Sequence, residues 1–542
     1  MTHAPPFLLL GLLLMAAPVA AREPAPPEPG AMEPGAMELG ATELAASLHD
    51  GTLAAGSATR AALARVAALD RAGPSLHAVL ALNPRALDDA RALDAERAAH
   101  GPRGPLHGLP VLIKDNVETA DPVATTAGSL ALAQNVTGRD APLVARLRAA
   151  GAVILGKANL SEWANIRGSR SISGWSAAGG LTRNPYALDR SACGSSSGSA
   201  VAVAAGMVPL AVGTETDGSI TCPASLTGIV GLKPTLGLVS RARVVPISHS
   251  QDTAGPMARS VRDAALLLSV MAGSDPLDPA TAQADAHRAD YLAALDAQAL
   301  HGARLGVMRF AAGFHPETDA VFARALDTLR DAGAVLVEID ALPGTTEADA
   351  AGQVPPMQRV TDAEGLVLLC ELKADLDAYL ADAAPAVSAR TLAAVIAFND
   401  AHAAEELALF GQELFLKSQA GPGLDDPAYR AALATSKRLA GPEGIDRMLA
   451  EGRLDALVAP TMGPAWVVDA VNGDHAMGST STLPAVAGVP HLTVPMGAVS
   501  GLPVGLSFIG PAWSDARMLA LGYAFEQRAE PAPRPTFAAS LP

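Results

Sequence analysis

Cysteine is scarce in this sequence of 542 residues, which contains only Cys193, Cys222 and Cys370. An odd count leaves at least one thiol unpaired in any intramolecular scheme. We therefore expect no disulfide framework, and we assign Cys193 and Cys222 to the packing of small side chains. The CxxC and HExxH spacings typical of zinc sites are also missing from the sequence, so no metal site is predicted.

Positive charge is also in short supply, with 39 Lys and Arg against 55 Asp and Glu and a net charge of -16. Because nucleic-acid binding requires a positive face, we expect no nucleic-acid partner. Lysine is the rarer of the two cations, and its positions are Lys114, Lys157, Lys233, Lys373, Lys417 and Lys437. Arginine does not act as a base in proteins, so each lysine is a candidate for acid–base chemistry.

No run of apolar residues is long enough to span a membrane comfortably. The strongest run, FLLLGLLLMAAPVA over residues 7–20, is followed by small residues and predicts a signal peptide over residues 1–21. This predicts export to the periplasm or beyond, with no membrane association after removal of the segment. Residues 22–44 are rich in Pro, Gly, Ala, Met and Glu without an apolar period, which predicts a disordered linker.

Hydrophobic residues make up 49% of the chain, enough for a large core. The segment LPVLI at 109–113 has the length of a buried strand, and residues 141–157 and 305–340 alternate helix and strand patterns. This alternation predicts an α/β fold: one large domain over residues 45–542. Its core is expected to be a mixed, mostly parallel β-sheet with helices on both faces.

A cluster of small hydroxyl residues, CGSSSGSA at 193–200, directly precedes an Ala/Val run that is typical of a buried helix. A turn with a helix N-cap is the simplest interpretation. A phosphate-binding loop is rejected, because neither GxxxxGK[ST] nor a strand-GxGxxG-helix unit is present. Nucleophilic catalysis is the third interpretation, and it requires backbone N–H groups for an oxyanion and a proton acceptor.

The segment TETDGSI at 214–220 supplies the first of these requirements. Ser219 follows Gly218, and the amides of Thr216, Asp217, Gly218 and Ser219 are placed to converge on an anion. A histidine acceptor would have to be His107, His249 or His491, and none of them belongs to a GxSxG hydrolase context.

Lys114 is the more suggestive acceptor. It ends the apolar strand LPVLI, where burial lowers the pKa of an amine and leaves it free to accept a proton. The alternative is that Lys114 pairs with an acid such as Asp115 and only completes the strand. The residues alone leave both interpretations open.

Lys114 in GLPVLIKDN, the CGSSSGSA loop and Ser219 in GTETDGSITCPASLTGIVGLKPT together resemble the amidase signature family, over about residues 45–530. The resemblance implies that Ser219 is the nucleophile and Lys114 the general base. It implies that Ser195 bridges them from a cis peptide bond after Gly194. It also implies that no cofactor is needed.

The same resemblance implies supporting roles around this triad. Thr214 matches a hydroxyl that supports the bridging serine, and Ser196 is assigned a supporting role beside it. The amides of residues 216–219 are implied to form the oxyanion hole. Trp163, Trp175 and Trp466 stand beside the motifs and are predicted to form a substrate wall, with burial in the core as the alternative.

The chain departs from the common DTGGS form of the family, because it has ETDGS. With NLSEWAN, SISGWSA and FGQEL, this makes it similar to bacterial peptide amidases, which implies hydrolysis of peptide C-terminal amides with release of ammonia, by an enzyme expected to be monomeric. General aliphatic, aryl or fatty-acid amidases remain alternatives. The glutaminase subunit of a tRNA-dependent amidotransferase is disfavoured by the export segment and the acidic surface. A catalytically inactive binding module is disfavoured because Lys114, Ser195 and Ser219 are all present.

Overall fold

The computed structural model describes residues 1–2, 39–344 and 354–541. The predicted signal peptide and most of the predicted linker lie outside the described residues. Residues from 39 onward belong to one compact unit. Helix α1 begins at Ala41, so the last residues of the predicted linker are helical. This helix buries Ala41, Leu44, Ala45 and Leu48 at helical spacing, and that apolar period starts inside the segment that composition assigned to the linker.

The helices follow the predicted apolar periods closely where those periods are long. In chain order the α-helices are α1 Ala41–Asp50, α2 Ala55–Val66, α3 Ala86–His100, α4 Pro142–Ala149, α5 Ser197–Ala204, α6 Thr221–Leu226, α7 Val261–Met271, α8 Ala284–His287, α9 Pro316–Asp331, α10 Pro356–Ala381, α11 Leu392–Ala401, α12 Ala403–Glu406, α13 Glu413–Ala420, α14 Pro427–Ala440, α15 Asp446–Gly452, α16 Thr482–Ala487 and α17 Asp515–Glu526. None of these helices is long and apolar enough to cross a membrane.

The strands belong to two sheets. They are β1 Val79–Leu82, β2 Pro110–Lys114, β3 Val153–Ala158, β4 Trp175–Ser176, β5 Gly180–Leu181, β6 Leu210–Glu215, β7 Val230–Lys233, β8 Thr253–Ala258, β9 Arg304–Met308, β10 Val335–Ile339, β11 Ala456–Pro460, β12 His491–Val499 and β13 Leu502–Ile509. Within the described residues, β4 and β5 form a small ribbon, and the other eleven strands form one sheet in the order β1-β3-β2-β6-β8-β7-β12-β13-β11-β9-β10.

The predicted α/β class and mixed sheet are confirmed, but the balance of strand directions differs from the prediction. Four neighbouring pairs in the large sheet are parallel and six are antiparallel. Part of the antiparallel share comes from the hairpin of β12 and β13, which turns at Ser500 and Gly501. Both turn residues have positive φ, 51° and 82°, as a type I′ hairpin turn requires.

The centre of the sheet positions the residues of interest. Strands β2 and β6 are parallel neighbours, so their carboxyl ends lie at the same edge of the sheet. Helix α5 packs against both strands, and helix α6 follows β6 after a short loop. The described side chains of β2, β6 and α5 are almost all buried, as the apolar sequence of these elements predicts.

Candidate active site

Lys114 is the last residue of β2, and its side chain meets residues of both motif segments. Its Nζ lies 2.8 Å from Ser195 Oγ, 2.9 Å from Thr214 Oγ1 and 3.1 Å from the Thr214 carbonyl oxygen. Thr214 is held in turn by Asn116, whose Nδ2 donates to Thr214 Oγ1 at 3.0 Å. The parallel pairing of β2 with β6 therefore brings Lys114, Ser195 and Thr214 into one hydrogen-bonded cluster.

The lysine is completely buried, and it makes no ion pair with Asp115. Asp115 pairs with Lys157 instead, at 3.1 Å, so the alternative interpretation of Lys114 as the partner of Asp115 is wrong. Burial lowers the pKa of Lys114 to about 7, against the opposing influence of the acidic groups of Asp252 and Glu215. A substantial fraction of the Lys114 side chain is therefore neutral near neutral pH.

The CGSSSGSA loop uses each of its serines in a different contact. The peptide bond between Gly194 and Ser195 is cis. Ser197 Oγ donates to the Cys193 carbonyl at 2.7 Å, and Ser199 Oγ donates to the Val212 carbonyl at 2.9 Å. These buried hydroxyls bond to backbone acceptors, whereas Ser195 directs its hydroxyl to Lys114.

Ser196 attaches the loop to β6. Its Oγ donates to the Thr214 carbonyl at 3.0 Å and accepts the Thr214 amide at 3.2 Å. Its own amide donates to the Ser219 carbonyl at 3.1 Å. Ser196 therefore links the two motif segments through their backbones, and its predicted supporting role stays a prediction that agrees with this position.

Ser219 stands between β6 and α6 and is 7% exposed. The preceding Gly218 has a φ of +78°, and a side chain there would meet Ser481 Oγ at 2.9 Å. A residue other than glycine would therefore strain the turn both in its backbone and by contact. The turn places Ser219 just before the first residue of α6.

Glu215 fixes the other end of this turn. One carboxylate oxygen accepts the amides of Ile220 and Thr221 at 2.7 and 2.9 Å, and burial raises the pKa of the group. Within the described residues, the backbone N–H groups of Asp217, Gly218 and Ser219 have no protein acceptor. Three donors of one tight turn are thus free for another acceptor.

The expectation that Cys193 and Cys222 only fill space is wrong, because they form a disulfide. Cys193 precedes the cis peptide bond, and Cys222 lies in the first turn of α6, three residues after Ser219. A sequence separation of 29 residues hides this proximity, which arises when α5 and β6 fold back on each other. Cys370 is the remaining thiol and is buried, as the odd count requires.

The three tryptophans predicted to touch substrate are buried in different apolar clusters. Trp163 packs edge-on against Phe415 with ring centroids 5.7 Å apart, and Trp175 packs against Phe410 at 5.3 Å. Trp466 lies in the cluster that contains the disulfide. Their contact with substrate stays a prediction.

The histidines considered as bases have other partners. His491 Nε2 lies 2.7 Å from Ser507 Oγ, and His107 Nε2 lies 3.0 Å from the Leu93 carbonyl. His249 Nδ1 lies 2.9 Å from the Asp375 carboxylate on α10. Each contact is with a residue outside the two motif segments.

Sequence reasoning missed several residues that surround the cluster. Asn116 belongs to the KDN motif that directly follows the strand, so its position beside Lys114 was a usable signal. Thr482 Oγ1, which donates to Asp217 at 2.7 Å, and Glu364 on α10 come from distant segments without a recognisable motif. Their approach to the 216–219 turn follows from tertiary structure alone.

Comparison with known proteins agrees with this geometry. A family model described as Amidase matches residues 57–519. A protein of Arabidopsis thaliana described as a probable amidase is 41% identical over 467 residues, covering 85% of this chain and 84% of that protein. A glutamyl-tRNA(Gln) amidotransferase polypeptide from Roseiflexus sp. is 37% identical over 485 residues, covering 86% of this chain and 92% of that polypeptide.

Among solved structures, the native peptide amidase from Stenotrophomonas maltophilia is similar along nearly its whole length. It is 52% identical, with a TM-score of 0.85, and the match covers 92% of this chain and 99% of that one. With the family model matching most of the chain, this protein belongs to the amidase family and is an amide-hydrolysing enzyme.

Proposed function

We propose that this amidase hydrolyses the C-terminal carboxamide of peptides and releases ammonia, with Ser219 as nucleophile, Ser195 as proton bridge and Lys114 as base. The observation that carries the mechanism is the 2.8 Å contact between the buried Lys114 Nζ and Ser195 Oγ. The observation that favours peptide amides is the similarity to a peptide amidase at 52% identity over almost the full length of both chains.

The hydrogen-bonding capacity of Lys114 supports the direction of proton transfer. A neutral amine has one lone pair, and the Thr214 carbonyl is unable to donate to it. Only a hydroxyl meets that lone pair, and Ser195 Oγ is the nearest one. A neutral Lys114 thus accepts a hydrogen bond from Ser195, whose oxygen then becomes the acceptor for the proton of Ser219.

The reaction follows in two halves. The Ser219 oxygen forms a bond to the carboxamide carbon while its proton passes to Ser195, and the Ser195 proton passes to Lys114. The free amides of the 216–219 turn supply hydrogen bonds for the oxyanion. When the C–N bond breaks, the proton returns through Ser195 to the leaving nitrogen, and ammonia departs.

The second half repeats the relay with water. Water gives a proton through Ser195 to Lys114 and attacks the acyl-enzyme carbonyl. The ester bond to Ser219 then breaks and the serine oxygen recovers a proton. The products are a free peptide acid and ammonia, and the protein returns to its initial protonation state.

The substrate proposal is tested by ammonia release from a panel of amides. The panel contains C-terminally amidated peptides, the same peptides as free acids, an aryl amide, a fatty-acid amide and glutamine. We expect rapid ammonia release from the peptide amides and no cleavage of internal peptide bonds by mass spectrometry. Preference for glutamine or for a fatty-acid or aryl amide would contradict the substrate assignment and leave the triad standing.

The mechanism is tested in the same panel with Ser219→Ala, Ser195→Ala and Lys114→Ala. We expect each variant to lose about 10³-fold or more in kcat, because members of a proton relay act as a unit. Lys373→Ala is the control, since this lysine is 38% exposed and pairs with Asp377 on α10. Activity that survives Ser219→Ala would overturn the mechanism.

A further inference from the structure

Two carboxyl groups meet beside the 216–219 turn. Asp217 lies two residues before Ser219, and Glu364 approaches it from α10, where it is 5% exposed. Their side chains are hydrogen-bonded to each other. Asp217 Oδ1 is inaccessible to solvent and has no other donor of good hydrogen-bond geometry among the described residues. Because two carboxylates are unable to donate, a hydrogen bond between them requires that one of them carries a proton.

The remaining contacts identify the protonated partner. Asp217 Oδ2 accepts the Thr482 hydroxyl at 2.7 Å, so Asp217 already acts as an acceptor. Glu364 Oε1 accepts Gln251 Nε2 at 2.8 Å, which leaves its second oxygen for a proton. Burial and the Asp217 carboxylate raise the pKa of Glu364 to about 9. Glu364 therefore stays protonated through the neutral range.

The cations near this pair are bonded elsewhere. Lys437 on α14 donates to the carbonyls of Ser250 and Val486, at 2.8 and 2.7 Å. Lys233 on β7 donates to the carbonyl of Pro234 at 3.2 Å. Both ammonium groups exert only a longer-range attraction on the two carboxyl groups, and burial lowers the pKa of each lysine to about 8.

The acids near the pair are also engaged. Glu215 binds the amides at the start of α6, and Glu371, on the same helix as Glu364, accepts the hydroxyls of Ser248, Ser250 and Tyr429. The proton shared by Asp217 and Glu364 is therefore what neutralises this contact.

We propose that Glu364 is a positioning residue whose protonated carboxyl donates to Asp217 and holds the 216–219 turn, with Ser219, against α10. Gln251 extends the attachment, because its Nε2 also donates to the Thr216 carbonyl at 3.3 Å. Loss of the Glu364 proton leaves two buried carboxylates facing each other, and their repulsion displaces the turn. This inference rests on the proposed role of Ser219 as nucleophile, and it predicts that kcat falls as Glu364 ionises.

The test compares Glu364→Gln, Glu364→Ala and wild type from about pH 6 to about pH 10, with whichever amide of the panel the enzyme hydrolyses. Glutamine keeps a donor for Asp217 but does not ionise. We expect wild-type kcat to fall above about pH 9, and Glu364→Gln to keep kcat within about threefold without that fall. Glu364→Ala is expected to lose about tenfold in kcat or more, with a smaller change in KM.

The matched control is Glu526→Gln on α17. Glu526 is also a buried acid with a raised pKa, about 7, but it accepts the Val261 amide. We expect this control to keep the wild-type fall in kcat. The proposal is overturned if the fall persists in Glu364→Gln, or if Gln and Ala at position 364 reduce kcat equally at every pH.

A second readout needs no substrate. Because Glu364 has a raised pKa in the folded state, wild type takes up a proton on folding, which costs stability as the pH rises toward about 9. The Tm of Glu364→Gln relative to wild type is therefore expected to increase from about pH 6 to about pH 9. A pH-independent difference would contradict the shared proton. An altered Tm profile with an unaltered kcat profile would instead contradict the role of the turn in catalysis.

Discussion

Lys114 makes three polar contacts, and the carbonyl of Thr214 is the one among them that has no proton to give. This arrangement suits a group that alternates between ammonium and amine. The ammonium has three donors for three acceptors, and the neutral amine has its lone pair facing hydroxyls. Complete burial then keeps the amine accessible near neutral pH.

The first prediction concerns the acid limb of the pH profile. Lys114 has its pKa lowered to about 7, so kcat/KM is expected to rise with pH through about 7 as the amine loses its proton. The Asp252 carboxylate raises this pKa, so Asp252→Asn is expected to move the limb to lower pH. Steady-state kinetics of the two proteins across pH measure the shift.

The control for this prediction is Asp285→Asn, because Asp285 is exposed and pairs with Ser274 and Arg288. It is expected to leave the limb in place. A limb that moves to higher pH in Asp252→Asn, or does not move, would contradict Lys114 as the titrating base.

At this scale, the sequence predicted residues that belong to short motifs and missed those that do not. Lys114, Ser195 and Ser219 were identified because each lies in a recognisable local pattern. Glu364 was missed because its helix belongs to the middle of the chain, where no pattern marks a single acid. Its function depends on which helix packs beside the turn, and that is decided by tertiary packing.

At the scale of elements, one disulfide connects two short segments that carry the proposed catalytic serines. Cys193 is bonded to Cys222, so the loop that enters α5 is tied to the first turn of α6. The intervening segment contains α5 and β6, both almost entirely buried. The bond therefore constrains the ends of a packed unit that holds Ser195 and Ser219 at its two termini.

The second prediction is that loss of this bond lowers both stability and activity. For a loop of this length, removing the cross-link is expected to cost roughly 3–4 kcal/mol of unfolding free energy, because the unfolded chain gains freedom. Cys193→Ser with Cys222→Ser is expected to lower Tm and kcat, measured by calorimetry and ammonia release. Cys370→Ser is the control for thiol loss, and an unchanged Tm and kcat in the double variant would contradict the role of the bond.

Element identity was predictable from sequence, whereas strand direction was not. The strand LPVLI and the Ala/Val helix after CGSSSGSA appear where the apolar pattern places them. Periodicity says nothing about which strand becomes a neighbour, so the antiparallel partners of β6 and β11 were not predicted. The disulfide was missed for the same reason, since pairing of cysteines depends on how elements fold back.

At the scale of the whole molecule, the disulfide and the N-terminal sequence point to the same compartment. Disulfides persist in oxidising environments and are rare in the reducing cytosol. The apolar segment over residues 7–20 has the length and following small residues of a signal peptide. We infer that the enzyme is exported before Cys193 and Cys222 are joined.

The third prediction is that the mature protein starts close to Arg22. N-terminal sequencing and intact-mass measurement of protein from the periplasm or culture medium are expected to show loss of about twenty residues, since cleavage follows small residues after the apolar segment. Replacing Leu12 and Leu13 by Asp is expected to retain the protein in the cytosol with the disulfide reduced. Full-length protein in the periplasm, or an oxidised disulfide in the retained variant, would contradict this pathway.

The central claim, that Ser219 carries the acyl group, is tested most directly by trapping the acyl-enzyme. The protein is mixed rapidly with a peptide C-terminal amide, quenched in acid, digested and mapped by mass spectrometry. The account predicts a peptide acyl group on the fragment that contains Ser219, and no adduct or turnover in Ser219→Ala. An acyl group on another residue, or ammonia release that continues in Ser219→Ala, would contradict it.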